Sequence, residues 1–381
     1  MHTAAPKTWD IFCRVVDNYG DIGVCWRLAR QLAREYPFRV RLWVDDIDAL
    51  ISIWPHTVHI DQQTQEQVDI CIWHASFDPG VEPADVIIEA FACDLPASYM
   101  RAIKARPTPP RWFNLEYLSA EDWVEGCHGL ASIHPQLGLR KTFYFPGFTA
   151  KTGGLLKEKT LLGERDAFLG NPSNKTRFLH SLGISIAENE LVISLFGYEN
   201  AALGSLLDSW IESSRPVHCL LPTSKLLPEL NARLGTALQP GDGYTQGSLR
   251  LHIIPFLSQW AYDQLLWISD INFVRGEDSF VRAQWAAKPL VWHIYPQEDG
   301  IHLLKLDAFL RHYLHGASSQ LQDEISSLWH AWNNGQDCHI PWNSCLAELE
   351  NWQKHSQNWC QSINSLGDLA SNMVQFCQKT L

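Results

Sequence analysis

Short apolar runs alternate with longer segments of helical periodicity through most of the chain. In the first half the runs at residues 9–16, 38–44, 68–73, 86–91 and 111–115 predict strands. Between them, residues 22–36 and 96–105 predict helices. Shorter helices open at Asp45, Asp46 and Asp48 and at Ser119 to Asp122, where Ser and acidic residues suit a first turn. A second series begins at residue 191, with strands at 191–196, 217–221, 249–254, 271–274 and 289–292 and helices at 201–212, 259–268 and 279–287. Strand–helix alternation predicts a mostly parallel sheet covered on both faces. Between residues 147 and 182 the pattern fades into a polar, turn-rich passage with Gly153, Gly154, Gly170 and Pro172. From residue 303 onward the periodicity is helical.

The expected fold is therefore α/β, two Rossmann-like doubly wound domains facing a cleft, with a helical C-terminal tail. The expected division is 1–150 for the first domain, 151–182 for the connection and 183–345 for the second domain. Helices over 346–381 are expected to pack back on the first domain. A chain of 381 residues suits two such domains, each able to bury its own core.

Composition narrows the partners. A formal charge of −12 argues against direct nucleic-acid binding, which needs a concentrated basic surface. No apolar run is long enough to cross a membrane, and residues 1–7 lack the apolar core of an export signal. The 10 cysteines contain no Cys-x-x-Cys, and several sit in apolar runs as reduced thiols would, which points to the cytoplasm. Cys338, His339, Cys345, His355 and Cys360 cluster in the tail at spacings that match no structural zinc pattern. Most of the 17 tryptophans fall in apolar segments and read as core.

Candidate chemistry begins where the first strand meets the first helix. Asp17 and Asp21 flank Gly20, with Gly23 following, at what an open α/β sheet makes the ligand-binding end of its strands. One such aspartate reads as a helix cap and a strand terminator; a pair invites a chemical role. A second strand–turn–helix runs through Arg275, Gly276, Glu277, Asp278 and Ser279. A helix N-terminus with an arginine beside it suits a diphosphate. The alternative is a capped core helix with Arg275 paired to Glu277. Phe196 and Phe256 each end a strand, beside Tyr198 and Gln259; they read either as core or as a sandwich for a nucleobase. Residues 293–300 follow the last strand and could line the same cleft. Asp46 and Asp48 form an Asp-x-Asp that suits either a divalent metal or a plain cap. Neither half contains Gly-x-Gly-x-x-Gly or a Walker-type loop.

Taken together, the residues at 17–23 with Trp26, Arg27 and Leu28, at 40–46, 88–93, 112–119, 145–148, 275–285 and 292–300 resemble the protein-arginine rhamnosyltransferases of bacterial elongation factor P. The resemblance spans residues 9 to about 310; the connection and tail match only in character. It implies a GT-B glycosyltransferase that inverts the anomeric centre, with no cofactor and no metal. The implied donor is dTDP-β-L-rhamnose and the implied acceptor an arginine of elongation factor P, which is thereby activated to relieve ribosome stalling. Position by position it implies Asp21 as general base, Asp17 as its partner and Glu277 as a further required carboxylate. Phe196, Tyr198, Phe256, Gln259, Arg275, Asp278 and Ser279 match positions around the donor nucleotide, which makes the second domain the donor side and the first the acceptor side. The competing expectation is a GT-B enzyme using another nucleotide sugar and a small-molecule or glycan acceptor.

Overall fold

A computed structural model describes residues 7–16, 19–135, 137–297 and 300–379. The chain folds into two compact units: the part up to Lys159 joined by the segment from Ile363 onward, and Thr160–Ser362.

The first unit is built on β1 (Thr8–Cys13), β2 (Arg39–Val44), β3 (Gln62–Gln65), β4 (Val68–Ile72), β5 (Val86–Ala90), β6 (Arg111–Leu115), β7 (Ala131–Ile133) and β8 (Arg140–Tyr144). Its helices are α1 (Gly20–Glu35), α2 (Ile47–Ile53), α3 (Ala97–Ala105) and α4 (Trp123–Cys127). The eight strands lie in the order β3-β4-β2-β1-β5-β6-β8-β7. All pairs are parallel except β3 with β4 and β7 with β8 at the two edges. Counting parallel strands alone, the order is 3-2-1-4-5-6, and the chain reverses direction of growth between β1 and β5. Strand β5 is buried along its whole length because helices cover both faces, so it reads as a continuous apolar run rather than an alternating one. Phe12, Trp43, Trp73, Tyr99 and Trp112 form the aromatic core on one face.

The second unit contains α5 (Leu161–Leu169), α6 (Pro172–Ser181), β9 (Leu191–Leu195), α7 (Leu203–Ile211), β10 (Val217–Pro222), α8 (Leu226–Leu234), β11 (Gly243–Gln246), β12 (Leu249–Ile254), α9 (Gln259–Ile268), β13 (Ile271–Arg275), α10 (Asp278–Trp285) and β14 (Leu290–His293). The helices α11 (Ile301–Tyr313), α12 (Ser319–Asn333), α13 (His339–Ala347) and α14 (Leu349–Asn364) follow. Its sheet runs β11-β12-β10-β9-β13-β14, parallel except for the β11 edge, and reverses between β9 and β13. Tryptophans carry this core: Trp210, Trp267, Trp285, Trp329, Trp332 and Trp342 are all fully buried.

The units divide differently from the expectation drawn from sequence. The passage at 151–182 is not a plain connection, because α5 and α6 lie within it and belong to the second unit beyond Thr160. The second unit also extends to Ser362, so the return to the first unit is made by the last residues alone. There α15 (Leu369–Lys379) is held by Asp368, whose Oδ1 accepts from Gln31 Nε2 at 2.9 Å, and by Phe376 edge-on to Phe113 and Tyr144.

Candidate active site

In each unit the reversal point of the sheet opens a crevice at the carboxyl ends of the strands, the place where open α/β sheets hold ligands. In the second unit the chain leaves β9 through Phe196 and Tyr198, and leaves β13 through Arg275. Because β9 and β13 are hydrogen-bonded neighbours, these residues meet although far apart in sequence. The Arg275 guanidinium lies 4.5 Å from the Phe196 ring centre and 4.7 Å from that of Tyr198. Such contacts stabilise a desolvated cation by about 0.5–2 kcal/mol each. Arg275 is only 8% exposed, and its Nη1 is buried with no hydrogen-bond partner among the described residues. Leaving a buried charged donor unsatisfied costs more than leaving a neutral one. The geometry is that of a cation held ready for an anion.

The turn around Arg275 is locally determined. Gly276 takes φ +60°, which a side chain would strain. The Arg275 N–H donates to Ser279 Oγ at 3.0 Å, and the same hydroxyl donates back to the Arg275 carbonyl. Ser279 thus closes the turn with its side chain. Asp278 opens α10, and its Oδ2 accepts from Gln259 Nε2 at 3.3 Å. That contact joins two expected site residues and engages one of the carboxylates that would otherwise oppose an anion. Glu277 is the N-cap residue of α10 and offers no side-chain cap. Deeper in, Arg282 anchors α10 to α9 through a buried two-pronged pair with Asp263, at 2.9 and 2.8 Å.

Phe256 follows β12, two strands from β9 in the sheet order, and is half-buried. It shares the carboxyl edge with Phe196. The Phe196 ring, read either as core or as part of a nucleobase sandwich, carries the Arg275 guanidinium and meets Tyr262 edge-on. This use was missed because it depends on which strands are neighbours. His293, at the end of β14, accepts a hydrogen bond from the Tyr198 N–H at Nδ1, 3.2 Å. Glu298 and Asp299, in the segment after it, lie outside the described residues.

In the first unit Asp21 sits in the first turn of α1 and is 2% exposed. It is not the cap: that position is Tyr19, which makes no side-chain cap bond. Asp21 Oδ2 accepts from the Val16 N–H at 2.9 Å, and Asp45 Oδ1 accepts from the Val15 N–H at 2.9 Å. Two carboxylates therefore hold the backbone at Val15 and Val16 after β1, and the N-terminal dipole of α1 favours the charge on Asp21. Nearby, the Cys13 thiol is pushed up by its hydrogen bond with Cys25, by burial and by the charges of Asp21 and Asp45, so it stays protonated at neutral pH. Asp17 lies outside the described residues.

Across the reversal point from β1, the exit of β5 carries left-handed φ at Phe91, Ala92 and Asp94. Non-glycine residues hold such angles at a cost of about 1–3 kcal/mol each, so the surroundings must impose them. Here Glu89 accepts from the Asp94 N–H at 3.2 Å and Asn114 from the Ala92 N–H at 3.2 Å, while the Phe91 ring stacks on Tyr117 at 4.4 Å. No local sequence signal announces this strain.

The side chains of the two metal candidates make the following contacts. Asp46 caps α2, its Oδ1 accepting from the N–H groups of Asp48 at 3.0 Å and Ala49 at 3.2 Å. In the tail, His339 bonds Ser209 and His355 bonds the Tyr313 carbonyl, while the Cys345 thiol donates to the Glu324 carbonyl. Among the described residues no group of three or more His, Cys, Asp or Glu side chains could hold a metal ion. No helix among them is long and apolar enough to cross a membrane.

A family model described as Elongation-Factor P (EF-P) rhamnosyltransferase EarP matches residues 9–378. A protein-arginine rhamnosyltransferase of Pseudomonas putida is 50% identical over 376 residues, covering 98% of this chain and 99% of the relative. Its counterpart from Pseudomonas aeruginosa is 45% identical over 373 residues, covering 97% and 98%. A solved structure described as the structural basis for EarP-mediated arginine glycosylation of translation elongation factor EF-P superposes with a TM-score of 0.72 at 36% identity, covering 98% of this chain and 100% of that one. A glycosyltransferase from Rickettsia africae, 10% identical with a TM-score of 0.53, shares the fold over 98% of both chains. The chain belongs to the EF-P rhamnosyltransferase EarP family and is a glycosyltransferase with the mixed α/β architecture of the GT-B enzymes.

Proposed function

We propose that this protein moves L-rhamnose from dTDP-β-L-rhamnose to an arginine guanidine of elongation factor P, with inversion and without a metal, in the cytoplasm. The observation that carries the donor half is the buried, stacked Arg275 with its unsatisfied Nη1 at the reversal point of the second sheet. In the proposed reaction a guanidine nitrogen attacks the anomeric carbon, the bond to the diphosphate oxygen breaks, and the proton released from nitrogen passes to Asp21. A guanidinium is protonated at neutral pH and its lone pairs are delocalised, so it must be oriented by carboxylates before it can attack. Asp21, Asp17 and Glu277 are assigned that work. Charge on the departing dTDP is met by Arg275 and the N–H groups opening α10. One displacement needs no nucleophilic Cys or Ser, in keeping with buried, protonated thiols.

The test mixes the protein with dTDP-rhamnose and elongation factor P and follows intact mass. One deoxyhexose on one arginine is expected; no mass change overturns the reading. The product is expected at an undiminished rate in excess chelator, and loss of activity restored by Mg²⁺ would return Asp46 and Asp48 to consideration. Phe256→Ala is expected to weaken dTDP binding by about 1–3 kcal/mol, one stacking contact. Calorimetry with dTDP measures it, and unchanged affinity removes Phe256 from the base site.

A further inference from the structure

We propose that His293 is a positioning residue for Arg275, acting through the backbone of Tyr198 as a neutral hydrogen-bond acceptor. Arg275 and His293 are register partners on adjacent parallel strands, so their side chains rise from the same face at the carboxyl edge. Tyr198 links them. Its N–H donates to His293 Nδ1 at 3.2 Å, and its ring packs on both the Arg275 guanidinium, at 4.7 Å, and the imidazole, at 5.3 Å.

The loop that carries Tyr198 passes close to the imidazole. A Cβ on Gly197 would lie 3.2 Å from His293 Nδ1 and 3.0 Å from a Leu226 methyl, so a side chain here would press both neighbours by a few tenths of an ångström. Trp332 packs against the ring edge-on at 5.4 Å. His293 is 3% exposed. Since Nδ1 accepts, the ring proton must sit on Nε2. Protonating Nδ1 would turn the acceptor into a second donor facing an N–H and would set a second positive charge beside Arg275. Burial, then Arg275 and His302, push the imidazole down to about 3, so the acceptor form prevails at neutral pH. The result is a chain of support running from His293 to the Tyr198 backbone, and from the Tyr198 ring to the guanidinium. Arg275 is left as the cation of the crevice floor, with its direction set.

The ligand arm of the test rests on the donor reading above; the other arm does not. Asparagine can place its Oδ1 where Nδ1 stands, whereas the glutamine oxygen reaches nearer to Nε2. We expect His293→Asn to retain the hydrogen bond and His293→Gln to lose it. Hydrogen exchange at the Tyr198 amide is expected to speed up about tenfold or more in His293→Gln and to stay within about threefold of the parent in His293→Asn. The Kd of dTDP and the KM of the nucleotide sugar are expected to rise about tenfold in His293→Gln, with kcat lowered as well because Arg275 also meets the charge on the leaving diphosphate, and all three to recover in His293→Asn. Equal exchange rates in the two variants overturn the role of His293 whatever the ligand. Absence of dTDP binding by the unaltered protein overturns the donor reading alone, while the exchange arm still decides on His293. Equal loss of affinity in both variants, tracking a lowered Tm, would make the residue merely structural and end the proposal.

Discussion

Asp21→Asn is expected to abolish rhamnosyl transfer, by about 10²-fold at the least, while dTDP affinity stays within about twofold of the parent. The physical ground is that amide and carboxylate are nearly the same shape but only the carboxylate accepts a proton. Asparagine can still accept the Val16 N–H that Asp21 takes at 2.9 Å, so the segment between β1 and α1 should keep its path and the Tm should hold. Proton acceptance is removed together with the negative charge, which the N-terminal dipole of α1 stabilises by only about 0.3–1 kcal/mol. The affinity for dTDP should be spared because the residues assigned to the nucleotide stand in the other unit. Transfer at the parent's rate by this variant, read as deoxyhexose added to elongation factor P, would remove Asp21 from the role of base. Loss of dTDP binding along with activity would place the residue on the donor instead.

Arg275→Met should have the largest effect on donor binding. The thioether fills a similar space against the Phe196 and Tyr198 rings and keeps a favourable sulfur–aromatic contact, but carries no charge. Hydrogen bonds to a charged group contribute about 1.5–3 kcal/mol each, so dTDP affinity is expected to fall by roughly 10- to 100-fold. kcat should fall further, since charge on the leaving diphosphate grows during the reaction. Stability should move the other way. A buried cation with an unsatisfied Nη1 is a cost to the folded state, so the Tm of Arg275→Met is expected to match or exceed that of the parent. Lysine at this position keeps the charge but loses the planar fork that lies on two rings, and should restore affinity only in part. A Met variant with unchanged dTDP affinity would show that the anion is held elsewhere.

The strands that a reader of the sequence finds are those the fold buries. β5, β9 and β13 are buried throughout, and covering both faces demands unbroken apolar runs. Several of the elements missed lie at edges and on the surface, although β8 lies inside the sheet and α8 buries Leu226 and Leu230. β3 is Gln-Gln-Thr-Gln and β11 Gly-Tyr-Thr-Gln, polar strands at the sheet margins, with Thr64 Oγ1 of β3 also donating to Asp69 Oδ1 of β4 at 2.8 Å. Helix α5 buries only Leu161, so no apolar stripe marks it, and the passage containing it reads as a connection. The first run was expected through residue 16, yet β1 ends at Cys13, because the segment beyond bends to meet Asp45 and Asp21.

The sequence by itself determined the class of the fold, most of the places where strands turn into helices, and the candidates for chemistry, because these depend on periodicity and on residues close in the chain. Resemblance to a family carried their roles. What only the tertiary structure decided is which of those residues meet. Phe196 and Arg275 are brought together by the pairing of β9 with β13, and Arg275 and His293 by that of β13 with β14. Strand order follows from long-range packing and crossover connections, and no local pattern encodes it. That order set a cation against the Phe196 and Tyr198 rings and gave a buried histidine a backbone to hold.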